Sequence, residues 1–214
     1  MQLDEKMIQA LTKAFEVACD DYLNAHGTDR EKHYLFRMNF VKKFAEDVSF
    51  LNSVGNANNF YHRYANFIIR NMSEHLIEFC YLNKHPKLIK EYLGLKIKLD
   101  KFDRPHTPRQ GARWFGKWRF KKGRKDIDEM AKDIGEYKHP DGSLSLYDIF
   151  AIYSESCHNS YFDAFLDDIS EINSDAPTVG LTDENITAVH ALILCVLGEF
   201  PKQKDNRVGK TKAC

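Results

Sequence analysis

Residues 64–82 read YANFIIRNMSEHLIEFCYL. Tyr64, Phe67, Ile68, Met72, Leu76, Phe79 and Leu82 recur at steps of three and four, the period of a helix with one apolar face. The segment predicts a helix over 57–83 that Pro86 breaks or restarts, and a shorter helix from Lys87 to Leu99. The same period continues on both sides. Upstream, Leu3, Met7, Leu11, Ala14, Phe15, Ala18 and Tyr22 form one stripe ending at Gly27. Thr28, three residues before Glu31, has the form of a capping box and opens a second helix. Its apolar face is Tyr34, Leu35, Met38, Val41, Phe44, Ala45, Val48 and Leu51, and Gly55 closes it.

Downstream, Asp126 and Glu129 start a helix carrying Ile127, Met130, Ala131 and Ile134 and stopping at Gly135. KHPDG at 138–142 reads as a turn. A long helix over 145–172 places Tyr147, Ala151, Ser154, His158, Phe162, Phe165, Ile169 and Ile172 on one stripe. The last helix begins after Thr182, is nearly apolar from Ile186 to Leu197 as a central buried helix would be, and ends at Pro201. No segment alternates with period two. The fold class is therefore all-α, a bundle of six to seven helices forming one domain over 1–200, with a frayed basic tail over 201–214.

The chain has 214 residues, 43% apolar and 29% charged, with 11 Gly and 6 Pro, which excludes collagen-like, low-complexity and disordered classes. The start, MQLDEKMIQALTKAFE, has no apolar run of the signal-peptide or membrane-spanning kind, so the expected location is the cytoplasm, with no membrane partner. The five cysteines form no CxxC pair, which argues against a disulfide framework or a cysteine zinc site and for small buried apolar residues. Nor does the chain contain a phosphate-binding loop, a dinucleotide fingerprint, HExxH or GxSxG. The histidines lack metal spacing, so neither a metal nor a cofactor is expected.

One segment departs from the rest. KFDRPHTPRQGARWFGKWRFKKGRK, residues 101–125, holds ten Lys or Arg against Asp103 alone, and two prolines and three glycines deny it a regular helix. Its formal charge is +9; since the chain sums to zero, the remainder carries −9. Arg109, Arg113, Lys117, Arg119, Lys121, Lys122 and Arg124 supply phosphate-neutralising charge, and Trp114 and Trp118 among them supply stacking platforms for unpaired bases. This points to RNA or single-stranded nucleic acid. The competing reading packs the aromatics on the bundle and pairs the cations with its acidic surface.

Two further constellations carry candidate chemistry. Arg70 and Glu74 are four apart and project to one helix face, whereas Arg70 and His75 lie about 140° apart. As a surface pair, Arg70 and Glu74 contribute only about a few tenths of a kcal/mol. Phe67, Ile68 and Ile77 put them beside an apolar flank. On the 145–172 helix, Ser154 and His158 are one turn apart, so a Ser to His hydrogen bond fits, although no nucleophile elbow precedes the serine. His158 reads either as a core histidine satisfied by one hydroxyl or as an active one.

Taken together, IIRNMSEHLIEFCYL (68–82), KLIKEYL (87–93), the tryptophan-rich segment leading into DIDEMAKDIG (126–135) and YDIFAIYSESCHNS (147–160) resemble an uncharacterised bacterial family of helical proteins. The family pattern falls here on Arg70, Glu74, Tyr81, Leu82, Trp118, Met130, Ala131, Gly135, Tyr153, Ser154 and His158. Separately, R-N-x-x-x-H at 70–75 resembles the signature of HEPN ribonucleases, small α-helical proteins, usually homodimers, that cut RNA without metal in toxin and phage-defence systems. That resemblance implies Arg70 on the scissile phosphate and His75 in proton transfer as the 2′-hydroxyl attacks. The expectation is a site between the third helix and the 145–172 helix, where Arg70, Glu74, Tyr153 and His158 converge beside the basic segment. The alternative is a non-catalytic binding or regulatory module in which these residues form a structural network.

Overall fold

The structure, a computed structural model, describes residues 3–55, 62–89, 125–158 and 180–200, excluding the side chains at 62, 63, 156 and 158. The basic segment up to Arg124, residues 159–172 of the expected long helix, and the tail lie outside the described residues. Among the described residues the protein is all-α: α1 Glu5–Ala25, α2 Glu31–Val54, α3 His62–Lys84, α4 Ile127–Ile134, α5 Leu146–His158 and α6 Asp183–Glu199. None of these helices is long and apolar enough to cross a membrane.

The arrangement is set by α3, which packs against α2, α4, α5 and α6, while α1 pairs with α2 and touches α6. It can serve four neighbours because burial extends round much of its circumference, over Ala65, Ile69, Met72, Leu76, Ile77, Phe79 and Leu82. Tyr64 and Phe67, expected on its inner face, are instead 46% and 42% exposed, and Ile69 and Ala65 take those places in the core. Apolar residues on adjacent faces made the two stripes equivalent by period alone. On α1 and α2 the expected stripes are the buried ones, carried by Leu11, Ala14 and Ala18 and by Val41, Phe44, Val48 and Leu51.

Local chemistry fixes the helix ends. Asp4 caps α1 by accepting from the Lys6 amide at 2.8 Å. Ahead of α2, the Thr28 hydroxyl accepts from the Arg30 amide at 3.2 Å and the Glu31 carboxylate reaches back to the Gly27 amide at 2.9 Å. The reciprocal box expected of Thr28 and Glu31 is therefore not formed: each side chain accepts from an amide one residue before the one the box requires, and the cap position is Arg30, which has no side-chain cap. Gly135 ends α4 in the left-handed region at φ 85°, as only glycine does readily. Thr182 and Asn185 form a reciprocal capping box on α6. After Lys84 the helix stops, and Pro86 opens a new helical turn over 86–89.

Two expectations about burial need correction. On α5 the core side is Leu146, Ile149 and Tyr153, one position round from the expected Tyr147, Ala151 and Ser154, which are half-buried on its flank. On α6 burial covers Ile186, Val189, Leu192, Ile193 and Val196, but Leu194 is 56% exposed, so this helix lies at the side of the bundle rather than its centre.

Candidate functional site

Arg70 and Glu74 form the expected pair: Arg70 Nη1 stands 3.1 Å from Glu74 Oε2, with side chains 26% and 18% exposed. Arg70 also donates to Asn71 Oδ1 at 3.0 Å, and its guanidinium lies 5.3 Å from the centre of the Phe150 ring on α5. The arginine is thus turned toward α5, with its charge already answered by a carboxylate. Glu78, one turn beyond Glu74 in the same column, is the one buried charged residue among those described. Its i, i+4 spacing from Glu74 and i, i+8 spacing from Arg70 make it legible in the sequence as a member of the same face.

His75 leaves the opposite flank. It is exposed, and the charge it addresses belongs to Asp47 on α2, whose carboxyl burial raises and His75 pulls back down. The separation expected of residues five apart is therefore realised: Arg70 lies against α5, and His75 is exposed on a different flank of α3.

Tyr153 is buried at the α3–α5–α6 junction, one turn along α3 from the Arg70 pair. Its hydroxyl accepts from Asn185 Nδ2 at 3.3 Å, and that amide donates also to Asn66 Oδ1 at 2.9 Å. Burial raises the Tyr153 phenol, so it stays neutral. Ser154 Oγ is shielded from solvent and has no hydrogen-bond partner among the described residues. The side chain of His158, its expected partner, lies outside them, as do the nine residues of the expected nucleic-acid surface from Arg109 to Arg124. The structure thus places Arg70 with Glu74, Tyr153 with the α6 cap, and His75 apart.

Three further polar clusters lie outside the expected site; the first and third join residues distant in the chain, whereas the second is local, within residues 136–146. In the first, Arg37 on α2 donates to Asn83 Oδ1 at 2.8 Å and to the Glu199 carbonyl at 2.7 Å, while Asn83 donates to Glu199 Oε2 at 2.7 Å. The guanidinium lies 4.3 Å from the centre of the Phe200 ring. This node binds α2, α3 and the end of α6. Beside it, burial pushes the Cys80 thiol far up and the Cys195 thiol up to about 11, so neither supplies a thiolate near neutral pH.

The second lies on the turn after α4. His139 Nε2 meets Glu136 Oε2 at 3.2 Å and Nδ1 meets Ser143 Oγ at 2.9 Å, an acid–histidine–serine order. Ser143 Oγ, however, gives its proton to Asp141 Oδ1 at 2.7 Å, and Glu136 also receives the Leu146 amide at 3.2 Å. The hydrogen bonds thus shape the turn and start α5; they do not activate the serine.

The third gathers cations. Asp133, near the end of α4, receives His85 Nε2 at 2.9 Å and Lys84 Nζ at 3.1 Å on Oδ1, and Lys125 Nζ at 3.1 Å on Oδ2. Lys84 also donates to the Asp133 carbonyl. These donors, with His85 foremost, hold the Asp133 carboxyl well below the usual carboxylate range. Lys125 is the last residue of the basic segment, and its ammonium sits 5.1 Å from the centre of the Tyr81 ring. Around the corner, a depression of 330 Å³ runs between Arg30, Lys32, His33 and Tyr34 at the start of α2 and Pro86 and Ile89. Among the described residues, no group of acidic, histidine or cysteine side chains is arranged to hold a metal ion. Searches against protein-family models, curated proteins and solved structures find no match to this chain.

Proposed function

We propose that this chain is a cytoplasmic helical module that binds single-stranded RNA without cutting it, through the basic and aromatic segment 101–125. The observation that carries the reading is the divergence of Arg70 and His75: one is paired with Glu74 against α5, the other is exposed on a different flank of α3. Acid–base cleavage needs the phosphate-binding arginine and the proton-transferring histidine on one phosphate. Arg70 with Glu74, set against Phe150, and Asn185 with Asn66 and Tyr153 instead read as two structural groups that orient α3, α5 and α6. The segment supplies what binding needs, ten cations interleaved with five aromatics in 25 residues. Its last residue, Lys125, is tied to the bundle through Asp133.

A second reading, a HEPN-like metal-independent ribonuclease of toxin or phage-defence type acting as a homodimer, draws on one observation. Ser154 Oγ is buried without a partner among the described residues, one turn before His158 and on the helix that faces Arg70. Labelled single-stranded RNA, incubated with the protein in EDTA, separates the two. Binding without cleavage is expected, with log affinity falling against log salt by about 0.7 per phosphate contacted. Replacing Arg119, Lys121 and Lys122 by Ala weakens binding and flattens that slope. Cleavage abolished by Arg70→Ala or His158→Ala in protein that still folds would transfer the function to the second reading; equal binding to single-stranded DNA would widen the ligand class.

A further inference from the structure

The cluster around Asp133 is the part of the described surface where the basic segment rejoins the bundle, and its charges are unevenly matched. One carboxylate holds two ammonium groups and an imidazole drawn from two places in the chain: Lys84 and His85 from the end of α3, and Lys125 from the segment boundary. The three donors remain accessible, Lys84 53%, Lys125 44% and His85 37% exposed, while Asp133 beneath them is 22% exposed. Lys87, one turn further on, is exposed as well. Tyr81 is 5% exposed, so its ring supports Lys125 from below and offers no face to a base.

Resting on the RNA reading, we infer that this cluster is a phosphate-docking step next to the 101–125 segment, with Asp133 as an internal stand-in for the phosphate that RNA supplies. A carboxylate and a phosphate oxygen accept the same charge-assisted hydrogen bonds from ammonium groups, and either accepts from an imidazole N–H. In the free protein Asp133 keeps Lys84, His85 and Lys125 converged and discharges part of their mutual repulsion. When an RNA strand arrives, its phosphate takes over the outward-facing protons of the two lysines while Asp133 retains the inner ones. The surface reads phosphate and no base, so the step adds affinity without sequence preference. It also sets a ceiling on affinity, because one negative charge stands under the site whether or not RNA is bound.

This makes a prediction of unusual sign. Asp133→Asn removes an ion-pairing residue, which lowers thermal stability, yet strengthens binding to a uridine-rich 20-mer by about threefold or more at low salt, with a steeper salt slope. Lys84→Ala, whose side chain is half exposed, weakens binding to the same RNA and flattens the slope by about 0.7, the value for one phosphate contact. Fluorescence anisotropy at several NaCl concentrations, with circular dichroism of each variant, reads both. Binding by the wild type that is unchanged or weakened in folded Asp133→Asn, or unchanged in Lys84→Ala, overturns the inference and leaves the RNA reading intact. A wild type that does not bind removes the RNA reading itself.

Discussion

At the residue scale, Asp133 shows how one side chain collects a pH dependence. Its carboxyl is held well below the ordinary range because His85, Lys84 and Lys125 all donate to the ionised form. A group whose folded pKa is depressed adds stability that is complete above its unfolded value of about 3.9 and disappears as pH falls toward the folded value. Asp128, Asp141 and Asp148 are lowered in the same direction, by Lys132, by Ser143 and by Ser145 respectively. The wild type is therefore expected to lose thermal stability as pH drops below about 4. Asp133→Asn starts lower at pH 7 and declines less steeply across that acid window; the other three aspartates keep the slope from vanishing. Thermal melts from pH 7 down to pH 2 check it, and parallel curves for both proteins would contradict the assignment. Nothing in the sequence singles out Asp133, since Lys84 and His85 lie 48 or more residues away from it.

At the scale of elements, the junction of the α2 end with the α6 start explains two glycines in different ways. Gly55 has an ordinary helical φ of −61°, but a Cβ there would stand 2.9 Å from both Leu181 Cδ1 and the Leu51 carbonyl. Gly180 has φ 88°, and its Cβ would fall 2.5 Å from the Gly55 carbonyl, which also accepts the Leu181 amide at 3.2 Å. Gly135 shares the positive φ, but a Cβ there would meet nothing within 4 Å. Gly135→Ala should therefore cost about 1 kcal/mol, the conformational term alone. Gly180→Ala should cost at least about 2 kcal/mol, because backbone has to move as well. Urea unfolding of the two variants, compared with the wild type, measures the difference; equal costs would mean that the two loops do not touch. The sequence announced Gly55 and Gly135 as helix ends because each follows a periodic run. The close approach at Gly180 was not legible, since it depends on two segments 125 residues apart. The same limit shifted the buried stripe of α5: Leu146, Ile149 and Tyr153 compete with Tyr147, Ala151 and Ser154 in a helix apolar on most sides, and only the position of α3 decides between them.

At the scale of the whole molecule, helix periodicity and end signals were enough for the all-α class, because each amphipathic stripe must be buried against another. The site was less legible. The i, i+4 rule located Arg70 and Glu74 correctly on one face, yet could not say that Phe150 rather than a ligand would cover the arginine. What remains is the charge division, +9 in residues 101–125 against −9 elsewhere, and it has two physical uses that salt tells apart. If the segment clamps onto its own acidic bundle, its many ion pairs contribute to folding, and raising NaCl shortens the Debye length from about 14 Å at 50 mM to about 5–6 Å at 300 mM and weakens them together. The melting temperature of the free protein would then fall by several degrees. If the segment is reserved for a phosphate backbone, folding rests on the apolar contacts of α3 and on a few local pairs such as Arg70–Glu74, each contributing about 1 kcal/mol or less. A melting temperature that changes by less than about 2 °C over the same salt range is expected, since a 1 kcal/mol change moves a chain of this size by about 2–4 °C. RNA affinity, by contrast, should drop by orders of magnitude over that range when six or more phosphates are contacted. A large salt-induced fall in melting temperature would instead assign the basic segment to the protein's own acidic surface.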